Sequence, residues 1–220
     1  MKPMLSLIFS FFLFILITNL SLALSNEAVE QVLDSLGNPI FPGGKYYIFP
    51  VSHDETYGGG LRLAKTGDSK CDVTALQDDN IVIDSIPVKF SIPGINPGII
   101  FTGTPIEIEF TKKPSCVESS KWLIFVDDVI QRACVGIGGP ENYPHFKTLN
   151  DGRFYIEKHE SGFGYKLGYC VKDSPTCLDI GRSGNVTEEG GFRLNLTHQV
   201  AYAVEFIDVT PFEARIKSVV

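Results

Sequence analysis

The residues of this chain with types suited to acid–base chemistry are paired carboxylates: Glu107/Glu109, Asp78/Asp79, Asp127/Asp128 and Glu188/Glu189. Glycoside hydrolysis takes two carboxyl groups roughly 5–10 Å apart, one acting as acid and the other as base or nucleophile. Consecutive residues on a strand point to opposite faces, so the three adjacent pairs need not converge. Glu107 and Glu109 share a face, yet no recognisable motif surrounds them. Each of these groups reads as a solvated surface charge. His53, His145, His159 and His198 are scattered, and none has a metal-ligating partner four residues on. Gly-x-Ser-x-Gly, His-Glu-x-x-His and the phosphate-cradling glycine loop are all absent from the sequence. His53 reads as a loop residue, His159 as a strand residue, Asp179 as a turn residue and Trp122 as core. The chain is therefore read as a non-enzyme without cofactor or metal, with a glycosidase as the enzymatic alternative.

Cysteine chemistry points elsewhere. Residues 1–23 carry Lys2, a long apolar run and the small-x-small ending Ser21-Leu22-Ala23, the signature of a cleaved secretory signal peptide. Secretion makes disulfides the default use of Cys71, Cys116, Cys134, Cys170 and Cys177. Cys170 and Cys177 lie close, with Pro175 suited to a turn, and Cys71 with Cys116 would close a longer loop. Cys134, in the apolar stretch RACVGIGG, is then a buried free thiol, the alternatives being an intermolecular link or a different pairing. Asn185 (NVT) and Asn195 (NLT) are glycan acceptor sequons, of which Asn185, set among Gly and Glu, is the better placed. A formal net charge of −7 and the lack of a basic stripe exclude nucleic acid and anionic membranes as partners.

The elements that must position these residues are short strands. Runs at 45–51, 61–65, 71–76, 88–92, 106–111, 121–126, 153–160, 164–171, 192–197 and 203–208 are rich in β-branched and aromatic residues and separated by Gly, Pro, Asn or Asp turns. No long amphipathic helix pattern interrupts them. Many short strands at near-regular spacing predict a closed barrel or sandwich in one domain, residues 24–220. YYIF, IEIEF and YKLGY recur at intervals of about sixty residues, and GGGLRLAKT at 58–66 resembles GGFRLNLT at 190–197, which suggests a threefold unit.

Residues 32–48, VLDSLGNPIFPGGKYYI, set Val32, Asp34, Gly37, Ile40, Gly43, Tyr46 and Ile48 at fixed spacing. This resembles the N-terminal signature of the plant Kunitz-type protease inhibitors, the soybean trypsin inhibitor family. The resemblance continues through GGGLRLAKTGDSKCDVTALQ, KWLIFVDD, FYIEKHE, GYKLGYC and CLDIG. It implies a β-trefoil: twelve strands, a six-stranded barrel capped by three hairpins, and pseudo-threefold symmetry. It also implies a monomer that is secreted to the apoplast or held in a vacuole, serves in defence or seed storage, and carries the same two disulfides.

The family's protease-contact loop lies between the fourth and fifth strands, and here it falls on Ile92, Pro93, Gly94, Ile95, Asn96, Pro97, Gly98 and Ile99. The two prolines fix their own φ and push Ile92 and Asn96 towards extended backbone. That stiffness lowers the entropy lost on docking. The residue aligned to enter a protease's primary pocket lies near Asn96, whereas a trypsin pocket rewards Arg or Lys. The family's loop-bracing Asn aligns with Pro42. A serine protease other than trypsin is thus the expected partner, a cysteine protease a further one, with Lys112-Lys113 as an alternative basic loop. A non-inhibitory binding or storage trefoil is the alternative, and the resemblance implies α-L-fucosidase-like activity as the second, enzymatic one.

Overall fold

Ile106 to Phe110 alternates in space as it does in sequence. Ile106, Ile108 and Phe110 are buried, while Glu107 and Glu109 lie on the outer face. The computed structural model describes residues 29–51, 58–65, 69–80, 85–94, 98–149, 151–172, 174 and 176–210. The expected leader at 1–23, His53, Pro175 and loop residues Ile95, Asn96 and Pro97 lie outside the described residues.

Thirteen strands form among the described residues: β1 (Lys45–Pro50), β2 (Leu61–Ala64), β3 (Thr74–Asp78), β4 (Val88–Ser91), β5 (Glu107–Phe110), β6 (Trp122–Asp127), β7 (Arg132–Ile137), β8 (Lys147–Leu149), β9 (Gly152–Lys158), β10 (Tyr165–Val171), β11 (Cys177–Arg182), β12 (Gly191–Thr197) and β13 (Val204–Asp208). Six of them close a ring. β1 pairs with β4, β4 with β5, β9 with β10, β10 with β13 and β13 with β1. The Ile106–Phe154 bridge joins the β5 and β9 segments and completes the circuit. Three hairpins, β2–β3, β6–β7 and β11–β12, pair internally. They also touch one another, through β3–β12, β7–β12 and β3–β7. A six-stranded barrel with three mutually contacting hairpins is a β-trefoil, as the resemblance implied. Closure leaves the barrel strands without a free edge.

The strand count exceeds the expected twelve by one. β8 and β9 together fill the place of the eighth trefoil strand. β8 pairs with β6 of the hairpin, whereas β9 pairs with β10 of the barrel. The two segments thus serve different partners, one in a hairpin and one in the barrel. Strands β7 and β11 were also absent from the sequence-based set. β7 contains Gly136, a poor strand former. The glycine is required by packing, because a Cβ there would stand 2.1 Å from the Tyr143 hydroxyl. YYIF, IEIEF and YKLGY fall on β1, β5 and β10, the first strand of each trefoil unit. GGGLRLAKT and GGFRLNLT are not related by the threefold. They carry β2 and β12, which flank β3 on its two sides.

The core fills the barrel and the space under its caps. Phe90 meets Phe206 edge-on at 5.5 Å between ring centroids, and Tyr165 packs on Phe206 at the same separation. Trp122 is buried between Phe110 and Phe154. Cys71 is bonded to Cys116 and Cys170 to Cys177. Cys134 is free and fully buried, and burial pushes its thiol up to about 12, so it stays protonated and inert.

Candidate functional site: the β4–β5 connection

β4 and β5 pair antiparallel from Val88–Phe110 to Ser91–Glu107, and the chain between them leaves the barrel as a long loop. On the outgoing leg Ile92 is half-buried and packs against the core, while Pro93 and Gly94 are exposed. On the returning leg Gly98 is exposed, Ile99 half-buried and Ile100 fully buried. Gly94 and Gly98 take left-handed backbone, with φ of 82° and 74°, in open space.

A strap of chain, Gln31–Gly44, runs behind the loop's two legs. Its Val32 N–H donates to Ile100 O at 2.9 Å, and Ile100 N–H donates to Ile40 O at 3.0 Å. Gln31 bridges to Phe101. On the other leg, Gly43 N–H donates to Phe90 O at 2.8 Å. Phe101–Thr104 then forms a turn, and Gly103 N–H donates to Ile156 O of β9 at 2.9 Å. The loop's feet are thus held on the strap and on the barrel by backbone hydrogen bonds.

The strap is itself the signature stretch, and each signature residue has a physical task. Val32, Ile40 and Ile48 are buried almost completely. Asp34 is buried too, and its Oδ1 accepts from the N–H groups of Leu36 and Asn38, which ties the first turn. Gly37 and Gly43 turn the chain. The Tyr46 hydroxyl accepts from Phe41 N–H at 3.0 Å, and Tyr165 Oη accepts from Leu33 N–H at 2.8 Å. Pro42 sits in the Phe41–Gly44 turn. It has no side-chain donor to offer, and the bracing there is done by its neighbours' backbone.

The remaining candidates do not assemble a catalytic centre. Glu107 is paired with Lys121 at 2.7 Å and Glu109 with Lys89 at 3.9 Å. Asp78 pairs with Arg62 at 3.1 Å. Asp128 and Glu188 are exposed. Asp127 and Glu189, from two different pairs, do converge, but on the Arg193 guanidinium: Nη1 lies 3.0 Å from Asp127 Oδ2, and Nη2 bonds Glu189 Oε1. Burial pushes the Glu189 carboxyl up, but its bonds to Arg193 outweigh this and hold it below its ordinary value. Asp127 also accepts from Val129 N–H and caps the β6–β7 turn. This group is a structural ion cluster. Charge pairs 66 residues apart in sequence leave no spacing signal, so sequence reasoning missed it.

Asp179 is a strand residue of β11, not a turn residue. Its carboxylate accepts from Lys166 Nζ at 3.0 Å and from the Tyr155 hydroxyl at 3.3 Å. His159 lies just past the end of β9 rather than within it, with Nδ1 accepting from Ser161 N–H. Lys113 bonds the carbonyl of Val117 within its own turn. Asn185 is exposed. Asn195, expected as a second glycan acceptor, is buried in β12 with its Nδ2 donating to Leu196 O. The amide nitrogen a glycan would take is thus engaged by the backbone in this fold. No cluster of three metal-ligating side chains occurs among the described residues.

Residues 32–208 match the family model for legume Kunitz domains, described as "Trypsin and protease inhibitor". Along its full length the chain is 64% identical to the Kunitz-type trypsin inhibitor-like 2 protein of Pisum sativum, and covers all of it. It is 51% identical to the subtilisin inhibitor CLSI-II of Canavalia lineata, over 86% of this chain and 98% of that one. Among solved structures, it is similar to a Kunitz-type trypsin inhibitor from Cicer arietinum, at 69% identity and a TM-score of 0.77. That likeness covers 82% of this chain and 99% of the other.

Proposed function

The chain belongs to the legume Kunitz family of protease inhibitors, a family of inhibitors rather than enzymes, and on that premise we propose that it blocks a serine protease whose primary pocket is small or apolar. The protease-facing segment is Ile92–Ile99, with Ile95 or Asn96 entering the pocket. One observation carries the reading: the strap ties both legs of this loop to the barrel by backbone bonds, as a substrate-like inhibitor needs if docking is to cost little entropy.

No residue between Ile92 and Phe101 is Lys or Arg. A trypsin pocket would leave its buried carboxylate unpaired against such a loop, at a cost of roughly 1–3 kcal/mol or more. The similarity to a subtilisin inhibitor supports an apolar-pocket target. The trypsin wording in the names of the pea and chickpea relatives makes the trypsin comparison decisive.

We further propose that the inhibitor acts as a monomer, is secreted or vacuolar, and carries a glycan at Asn185. A mass loss on enzymatic deglycosylation, absent in Asn185→Gln, checks the last point. The test of function is titration of the purified protein against trypsin, chymotrypsin, subtilisin, elastase and papain. Stoichiometric inhibition of subtilisin or elastase with weak inhibition of trypsin is expected. Tight trypsin inhibition overturns the specificity, and inhibition of none leaves a storage or binding role. The double change Asn96→Arg with Pro97→Ile should raise trypsin affinity.

A further inference from the structure

A second concave site lies away from the protease-facing loop, where the β11–β12 hairpin meets the β12–β13 connection, the start of β7 and the end of β1. It is a cleft of about 410 Å³. Its cationic lining is Arg132 and Arg182, with the imidazole of His159 beside them and no carboxylate among the lining residues. In a chain with 26 acidic and 19 basic residues, that is a local reversal of charge.

One of these cations, Arg182, is preorganised. Arg182 donates from Nη1 to Gln77 Oε1 at 2.9 Å, and its guanidinium carbon lies 4.7 Å from the Phe192 ring centroid and 5.9 Å from that of Tyr202. Held between two rings, it keeps its charge in place without paying side-chain entropy when a ligand arrives. Arg132 is exposed at the rim. His159 closes one side, with its Nε2 3.3 Å from Ala201 O and 3.8 Å from the Glu160 carboxylate, which is itself bound to Lys166.

Two lining residues present polar atoms with no partner. Asn195 is 2% exposed, and its amide oxygen has no hydrogen bond. Tyr202 is 7% exposed, and its hydroxyl has none either. Leaving such a buried group unpaired is destabilising. One is an acceptor and the other can donate, because burial raises the phenol and keeps it protonated. Among the described residues, no strand partner or turn uses these atoms. Both belong to residues around the same basic cleft.

We infer that this cleft binds a monosaccharide-sized hydroxylated anion, a sugar acid or sugar phosphate. Its charged group would pair with Arg182 and Arg132, and its hydroxyls would bond Asn195 Oδ1 and the Tyr202 hydroxyl. A plain inorganic anion would satisfy the arginines but would face the Asn195 oxygen with another acceptor. A neutral sugar would satisfy Asn195 and Tyr202 but leave the arginines unused. The combination selects a ligand with both features. The inference does not depend on protease inhibition, since no residue of Ile92–Ile99 lines the cleft.

Isothermal titration of the full mature protein with glucuronate, glucose 6-phosphate, glucose, inorganic phosphate and sulfate tests it. Single-site binding of glucuronate or glucose 6-phosphate is expected, at least about fivefold tighter than glucose or the inorganic anions, the equivalent of one hydrogen bond. Which of the two binds better separates a carboxylate from a phosphate ligand. Tyr202→Phe removes only the unpartnered hydroxyl, so it should melt at or above the parent temperature and yet bind about fivefold or more weakly. Arg132→Gln, at the exposed rim, should weaken binding of the anionic sugars and leave glucose unchanged. No binding of either anionic sugar overturns the inference. So does equal binding of inorganic phosphate or glucose, or a Tyr202→Phe variant that binds as the parent does.

Discussion

Arg193 is the residue on which two carboxylates from distant parts of the chain depend, and its geometry makes a strong demand on stability. The side chains of Asp127, Glu189 and Arg193 are 5%, 12% and 13% exposed. Truncating Arg193 leaves two poorly hydrated anions facing each other. Breaking a buried pair by removing one partner costs about 3–5 kcal/mol. Arg193→Ala is therefore expected to lower the urea unfolding midpoint by that equivalent while leaving the β-sheet circular dichroism of the folded state intact. A loss under about 1 kcal/mol would show that water screens the cluster as it does a surface pair. The same cluster sets an acid dependence. Glu189 is held below its ordinary value of 4.5 in the folded protein. Its contribution is present in full above that value and is lost as pH falls below it, because the unfolded chain takes up the proton more readily. Glu160, held low first by its bond to Lys166, acts in the same sense. Glu189→Gln should therefore shrink the stability difference between pH 7 and pH 3.5 without abolishing it, as read from urea midpoints at the two pH values.

At the scale of the element, the loop proposed to face a protease is a β4–β5 connection whose two feet are held from behind. Its described tip glycines, Gly94 and Gly98, take left-handed backbone, and a Cβ at either would touch nothing within 4 Å. A substitution there adds backbone strain alone, roughly 1–2 kcal/mol for an L-residue. Gly98→Ala should weaken inhibition of the target protease about tenfold and leave the melting temperature within a few degrees of the parent, since the loop can relax in the free protein but not in the complex. Unchanged inhibition would mean that the loop is not held in its docked shape. The two strands that flank this loop were legible in the sequence as the runs at 88–92 and 106–111. What held it was not. The expected support was an Asn side chain, and Pro42 in its place suggested an unbraced loop. The structure braces it through the N–H groups of Val32, Gly43 and Ile100, and backbone donors carry no mark in a sequence. Two of the strands missed by pattern, β7 and β11, have a related cause, while β8 is only three residues long. Gly136 and Gly181 serve close packing against Tyr143 and Thr197, and so remove the propensity signal that would have announced their strands.

For the whole molecule, the closed ring β1-β4-β5-β9-β10-β13 and the three meeting hairpins follow from a threefold recurrence already visible as YYIF, IEIEF and YKLGY. Individual hairpin contacts, such as Asn195 opposite Cys134, were beyond sequence spacing because they join units with no local connection. The disulfides act at this same scale. Cys71–Cys116 spans 45 residues and links the first trefoil unit to the second, whereas Cys170–Cys177 spans 7 within the third. Chain-entropy arguments assign them about 4 and about 2.5 kcal/mol respectively. Reduction is therefore expected to lower the melting temperature by at least about 10 °C, at roughly 2–4 °C per kcal/mol for a chain of this size. The bonds should differ in how they do so. Replacing Cys71 and Cys116 by Ser should account for the larger share of the loss, and replacing Cys170 and Cys177 for the smaller. Cys134 should contribute nothing to the comparison, since its thiol is buried and held protonated by burial. Calorimetry of the two double variants against the reduced parent checks the order. An equal or reversed loss would place the constraint in local strain around the 170–177 hairpin rather than in the long loop that ties two trefoil units together.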